Sequence, residues 1–169
     1  FTKAAAMTLL RKNTVRRRIA SGYKEIKMDY AIKQISDENT LKSVLEMCWD
    51  ILGKPNTDIY SEQAWREKLS DNGLMIYAEI GGEPAAVVLG RAESSESVVL
   101  GYCCCIEEYR GRGITSALLA VFEKNAEESG YRYITLGSDN SAWGFYEKCG
   151  YSLINEIHGQ RIYQKILKH

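Results

Sequence analysis

VVLGYCCCIEEYRGRGITSALLAVFEKNAEESGYRYITL, residues 98–136, carries the reading of the fold. Val98–Ile106 is rich in strand formers. Residues 113–130 place Ile114, Ala117, Leu118, Val121, Phe122 and Ala126 on one helical face, with Gly130 as the C-terminal stop. Tyr133–Leu136 reads as a second strand. Strand, helix and strand make a βαβ unit, so the two strands are expected parallel with a right-handed crossover. Between the first strand and the helix stands Glu107-Glu108-Tyr109-Arg110-Gly111-Arg112-Gly113-Ile114-Thr115-Ser116. Its glycines let a ligand approach the backbone closely, and the first N–H groups of the helix point outward with the positive end of its dipole. Such a loop is a cradle for a diphosphate, to which Arg110 and Arg112 add charge-assisted donors.

Outward from this unit the pattern stays mixed. Downstream, Ser141–Lys148 reads as a helix, and Ser152–Ile157 with Gln160–Leu167 as a hairpin turning near His158-Gly159. Upstream, Leu74–Ile80 and Ala85–Ala92 flank Gly81-Gly82-Glu83-Pro84 as a second hairpin. Asp71-Asn72-Gly73 before it is a turn. Tyr30–Ile35 is a short strand. Ser36 or Asp37 then caps a helix in which Leu41, Val44, Leu45, Cys48, Trp49 and Leu52 recur at helical spacing and which Gly53 ends. Ser61 caps a shorter helix with Ala64, Trp65, Lys68 and Leu69 on one face. The expected order is β-α-α-β-β-β-α-β-α-β-β, an α/β fold on a mixed sheet.

Composition supports one globular domain. The chain has 169 residues, 45% apolar and 26% charged, with only two prolines, and no run long enough for a membrane span. Lys and Arg (22) balance Asp and Glu (22), which leaves no overall field toward nucleic acid or an anionic membrane. The balance conceals an asymmetry. Residues 1–28 hold eight basic side chains against one acid, Glu25, so the remainder carries 14 basic and 21 acidic groups, a net charge of about −7. Residues 1–27 are expected to be a basic N-terminal extension, a cloning remnant or upstream segment ahead of Met28, with residues 28–169 as the working domain. A mitochondrial-type presequence or a nucleic-acid-touching arm has similar composition. Ala5, Ala6, Leu9 and Leu10 could support a short helix there.

The five cysteines, Cys48, Cys103, Cys104, Cys105 and Cys149, form no CxxC pair. Neighbours on a strand point to opposite faces, so the consecutive three cannot converge on one metal, and no metal site is expected. Free thiols in a reducing cytoplasm, serving as small apolar side chains, fit the count.

Three nucleotide sites could use the glycine loop. A P-loop needs Gly-Lys-Ser/Thr, which is absent. Gly111, Gly113 and Ser116 give only GxGxxS, short of a dinucleotide fingerprint. An acyl-coenzyme A pocket remains.

At this point the chain resembles the GNAT family of N-acetyltransferases. The family's pyrophosphate loop, Gln/Arg-x-x-Gly-x-Gly/Ala, is matched at its first and fourth positions by Arg110-Gly111-Arg112-Gly113-Ile114-Thr115. Its FYEK-x-GF segment is closely matched by Phe145-Tyr146-Glu147-Lys148-Cys149-Gly150-Tyr151. The resemblance covers residues 28–169 and implies a mostly antiparallel sheet with a central parallel strand pair, flanked by helices. It implies an N-acetyltransferase that moves the acetyl group of acetyl-coenzyme A to a primary amine of a small molecule or peptide by direct attack in a ternary complex. A non-catalytic acyl-coenzyme A sensor is the alternative. Coenzyme contacts fall to the backbone at Cys103, Cys104 and Cys105 and to Arg110, Gly111, Arg112, Gly113, Ile114, Thr115 and Ser116. Tyr146 stands where the family's tyrosine protonates the coenzyme thiolate. Thr115 replaces the family's preferred Gly or Ala. Asp139 holds the place of an Asn that lines the coenzyme arm, so that contact is carried over to Asn140, one residue later.

Chemistry makes these roles reasonable. An alkyl amine with a pKa near 10 must lose a proton before attack, and a phenol with a similar pKa is protonated at pH 7 and able to donate. A covalent acyl-cysteine route would need a histidine nearby, but the two histidines, His158 and His169, lie in the last hairpin and at the terminus. No residue is assigned as general base. Residues 50–66 and 155–162 are expected to build the acceptor pocket; their Asp50, Asp58, Tyr60, Glu62, Trp65, Glu156 and His158 suit a cationic amine. A homodimer is compatible with the sequence; membrane association is not expected, and nucleic acid is not a favoured partner.

Overall fold

A computed structural model of the protein describes residues 9–19, 21–69, 73–139 and 141–168. Eight strands form one sheet in the order β1-β2-β3-β4-β5-β6-β8-β7. In chain order they are β1 (Leu9–Ile19), β2 (Gly22–Gln34), β3 (Met75–Ile80), β4 (Glu83–Ala92), β5 (Ser97–Cys105), β6 (Tyr133–Ser138), β7 (Ser152–Ile157) and β8 (Gln160–Ile166). Every neighbouring pair is antiparallel except β5 and β6, which run parallel as the βαβ reading expects. Among the described residues no helix is long and apolar enough to cross a membrane.

Helices cover both faces. On one face lie α1 (Glu38–Leu52) and α2 (Glu62–Glu67). Asp37 caps α1: its carboxylate accepts from Thr40 N at 2.8 Å and from Thr40 Oγ1 at 2.7 Å. These bonds hold the Asp37 carboxyl below its ordinary pKa. Ser61 caps α2 by accepting from Ala64 N at 3.2 Å. The α1 face formed by Leu41, Val44, Leu45 and Cys48 packs on Met75, Tyr77, Val87, Leu89, Tyr102 and Cys104. On the opposite face lie α3 (Ile114–Glu128) and α4 (Trp143–Lys148), whose Leu118, Phe122 and Tyr146 join a larger core with Ile32, Val88, Ile134 and Tyr163. The sheet is thus a central layer between two apolar clusters.

The structure departs from expectation at a few positions. Leu9 and Leu10 lie in β1, not in a helix, while Ala5 and Ala6 fall outside the described residues. β1 pairs with β2 from Leu9↔Ile32 to Ile19↔Gly22, and the boundary expected at residue 28 falls inside β2. Upstream of Ala31, β2 pairs with β1 alone. Backbone hydrogen bonding to the very next strand, in an antiparallel pair, overrides a weak local helical pattern. Leu52, expected on the buried face of α1, is 54% exposed because it is the last residue before Gly53 turns the chain away. Of the turn expected at Asp71-Asn72-Gly73, the first two residues lie outside the described set.

Candidate active site

The site begins with an interrupted sheet. β5 and β6 pair only through Ser97, Val98 and Val99 against Tyr133, Ile134 and Thr135. Beyond that, β5 continues to Cys105 and β6 to Ser138 without pairing, so the two strands part. A bulge lies where they separate: Leu89 of β4 pairs with Tyr102 and Gly90 with Leu100, which leaves Gly101 as the extra residue. The insertion reverses the phase of the strand. Val98 and Leu100 face α3, whereas after the bulge Tyr102 and Cys104 face α1 and Cys103 and Cys105 face α3 and α4. Gly101 is required sterically, since a Cβ there would stand 2.7 Å from the Trp65 indole and 3.1 Å from Tyr60.

The parted strands open a cleft of about 680 Å³. Cys103, Cys104, Cys105, Arg110, Thr115 and Tyr146, all singled out from the sequence, line it together. At its mouth the remaining loop residues, Gly111, Arg112, Gly113, Ile114 and Ser116, surround an adjoining cavity of about 200 Å³ that shares Arg110, Thr115 and Phe145 with the cleft. Asn140 lies outside the described residues.

The local fold of the loop follows from its glycines. Gly111 (φ 73°) and Gly113 (φ 78°) are left-handed, and a Cβ at either would meet nothing within 4 Å. Glycine is therefore needed for backbone conformation, not for space. Gly113 is the N-cap of α3 and lacks a capping side chain, so the opening amides of a fifteen-residue helix face the cavity without one. Ile114 is buried, so what it offers the cavity is main chain. Arg110 Nε donates to the Cys105 carbonyl at 2.9 Å and ties the loop back to the end of β5. Arg112 lies over the Tyr109 ring at 5.7 Å. The Cys105 thiol donates to the Ile106 carbonyl at 3.4 Å, and Thr115 at the start of α3 lines the cleft beside it.

Tyr146 forms the floor on the α4 side. It is 6% exposed and packs edge-on against Phe145 and Tyr151. The Cys103 thiol lines the same cleft and is close enough for the two groups to act on each other electrostatically. Burial, then the neighbouring Cys103, raises the phenol far above its usual pKa, and burial pushes the Cys103 thiol up to about 12. Both groups therefore carry their protons at neutral pH. α4 is held in place from the far side. Glu147 accepts from the Tyr163 hydroxyl at 2.8 Å and pairs with Arg161 at 3.5 Å, and Arg161 stacks on Trp143 at 3.9 Å. Trp143 Nε1 in turn donates to the Ser138 carbonyl at 2.9 Å, fixing α4 to the end of β6.

Several cleft residues were not singled out from sequence: Ile51, Leu52, Ser138, Phe145 and Gln160. Phe145 was the one with a signal, since it opens the FYEK segment. The others arrive from α1, β6 and β8 and carry no motif. Asp139, noted for its place in the family pattern, also lines the cleft and accepts from Ser141 N at 3.1 Å and Ser141 Oγ at 2.6 Å.

The residues expected around the acceptor do not gather in one place. Asp50 lines a cavity of about 780 Å³ with Glu46, Glu83 and Glu107, which adjoins the cleft through Ile51 and Arg110. Asp58 and Glu62 line a separate cavity at the α1–α2 connection. Trp65 is buried and packs with Tyr60 and Tyr102. Glu156 pairs with Arg161 at 3.8 Å, and His158 sits in the β7–β8 turn with φ 51°.

Known proteins resemble this arrangement. Residues 41–151 match the model of the Acetyltransferase (GNAT) family. The fold is similar to that of Ard1 from Thermoplasma volcanium, with a TM-score of 0.70 and 15% identity over 83% of this chain and 99% of that one. It is also similar to a GNAT-family acetyltransferase from Staphylococcus aureus MU50 (TM-score 0.69, 16% identity, 82% and 99% covered). A third likeness is to the PaiA N-acetyltransferase from Thermoplasma acidophilum, solved in complex with coenzyme A (TM-score 0.67, 16% identity, 82% and 99% covered). No curated protein sequence matches the chain.

Proposed function

The chain belongs to the acetyltransferase (GNAT) family, and we propose that it transfers the acetyl group of acetyl-coenzyme A to a primary amine by direct attack within a ternary complex. The reading rests on one observation: the gap between β5 and β6 opens beside the glycine-headed start of α3. From Leu100 to Cys105, β5 has a strand partner on the β4 side alone, so its other edge suits the amides of the pantetheine arm. The α3 amides, with Arg110 and Arg112, suit the pyrophosphate. Tyr146, which lines the cleft and carries its proton at neutral pH, is our candidate donor to a departing thiolate. The thioester itself supplies the activated acyl group; the protein orients it.

The acceptor side favours a cationic amine of a small molecule or peptide. Glu46, Asp50, Glu83 and Glu107 surround the cavity beside Ile51, and one arginine, Arg110, faces them. A reducing compartment such as the cytoplasm suits the five free thiols.

Replacing Tyr146 by Phe tests the catalytic role. Turnover falls by about 10²–10⁴, the usual scale for a lost general acid, while coenzyme affinity by calorimetry holds. Unchanged turnover with retained binding removes Tyr146 from the chemistry. No thiol release with any amine in a broad panel, despite binding of the coenzyme, turns the reading toward a non-catalytic sensor.

A further inference from the structure

Two thiols that the proposed reaction does not use as chemical groups face each other across the interface between α1 and β5. The Cys48 and Cys104 sulfurs are 3.6 Å apart and share a hydrogen bond. We propose that they form a peroxide-sensitive pair, oxidised to a disulfide that ties α1 to β5 at the wall of the cleft.

Geometry selects this pair from the five cysteines. The bulge at Gly101 turns Cys104 toward α1, while Cys103 and Cys105 face α3 and α4 on the other side of the sheet. Cys48 is 0% exposed and sits on the packed face of α1 beside Val44 and Leu45. Cys104, 7% exposed, lines the cleft, so a small oxidant can reach the pair through it. Closing the sulfurs from 3.6 Å to the length of a disulfide, about 2 Å, draws strand and helix together.

The electrostatics divide the roles. Hydrogen bonding with Cys48 holds the Cys104 thiol below its ordinary value, against burial and with help from the Arg110 charge. The same bond and burial push Cys48 up. Cys104, the one of the two that lines the cleft by which the oxidant enters, is the attacking sulfur. Its thiolate attacks one oxygen of hydrogen peroxide, the O–O bond breaks, and hydroxide leaves and takes a proton to become water, giving a sulfenic acid. The Cys48 sulfur then attacks the Cys104 sulfur, the S–O bond breaks, and a second water leaves with the Cys48 proton. Both sulfurs are oxidised in forming the S–S bond, by two electrons in all, and the peroxide is reduced.

The test treats reduced, coenzyme-free protein with hydrogen peroxide. Intact mass is expected to drop by two hydrogens, and trypsin then releases Ser43–Arg66 (Lys54 precedes Pro55) linked to Ala92–Arg110. Cys104→Ala abolishes that link, whereas Cys103→Ala and Cys105→Ala keep it. Persistence of the link in Cys104→Ala overturns the assignment, as does its absence from wild-type protein in which Cys149 has been oxidised. The consequence for activity rests on the function proposed above, because β5 is the strand assigned to the thioester arm. Linked protein loses acetyl transfer by about tenfold or more, dithiothreitol restores it, and Cys48→Ala resists the peroxide. Full activity in linked protein removes the regulatory role and leaves the thiol pair standing. Absence of acetyl transfer in reduced protein counts against the proposed function alone, since the peptide map decides the pair independently.

Discussion

Cys103 and Cys105 turn toward α3 and α4 while Cys104 between them turns toward α1, so one run of identical side chains meets two different environments. On the α3 side the neighbours are polar and functional in type: the Tyr146 hydroxyl beside Cys103 and the Thr115 side chain beside Cys105. On the α1 side Cys104 meets another sulfur and an aliphatic wall. The α3 face carries the loop, the helix start and the buried phenol. The α1 face carries aromatic packing that gives the bulge its shape, with Trp65 and Tyr60 closing over Gly101. One face carries the residues proposed for chemistry, and the other packs its aromatic rings against the bulge.

Substitutions on the two faces should therefore separate. The largest stability loss is expected for Phe122→Ala, which empties the centre of the α3 cluster and costs about 3–5 kcal/mol. Leu45→Ala on the α1 side costs about 2–5 kcal/mol. Denaturant titration measures both, and a Phe122→Ala loss below that of Leu45→Ala would reverse the ranking of the clusters. Gly101→Ala comes next. Its added methyl meets the Trp65 ring, so about 1–3 kcal/mol of overpacking is expected, together with a fall in acetyl transfer as the bulge shifts. Normal activity at reduced stability would show that the gap between β5 and β6 does not depend on the bulge.

Gly113→Val sharpens the contrast from the other side. Open space surrounds the position, so the variant folds, with about 1–3 kcal/mol of local strain from the left-handed backbone. Calorimetry should show coenzyme affinity weakened by about tenfold, and unweakened binding would separate the α3 amides from the diphosphate.

The smallest effect is at the α1 cap. Asp37→Ala is expected to cost about 1 kcal/mol at pH 7. Because hydrogen bonds from Thr40 lower the folded-state pKa, this contribution is present above the unfolded carboxyl value, about 3.9, and is lost as pH falls through the lower folded value. Stability curves of wild type and variant should thus converge in acid. A gap that persists in acid strong enough to protonate the folded-state carboxyl would mean that the cap acts through something other than its charge.

Local signals in the chain were read well where a few consecutive residues decide the outcome. Asp37 and Ser61 cap helices because each can accept from an amide three residues on. Gly113 heads α3 because the backbone there is left-handed. The βαβ unit follows from periodicity within a short stretch, and the run from Phe145 to Tyr151 is marked by its resemblance to the family's segment. Residues that line the cleft without a motif, such as Leu52 and Gln160, carried no comparable mark.

By itself, then, the amino-acid order determined the kind and sequence of elements from Tyr30 onward, the parallel pairing of β5 with β6, and the glycine loop between strand and helix. Tertiary structure decided the extra residue at Gly101, the end of β5–β6 pairing after three residues, and the meeting of Cys48 with Cys104. Helix caps and turns are governed by hydrogen bonds and sterics over three or four residues. Strand register and facing sulfurs depend on partners tens of residues away, chosen only when the whole sheet and its two cores pack at once.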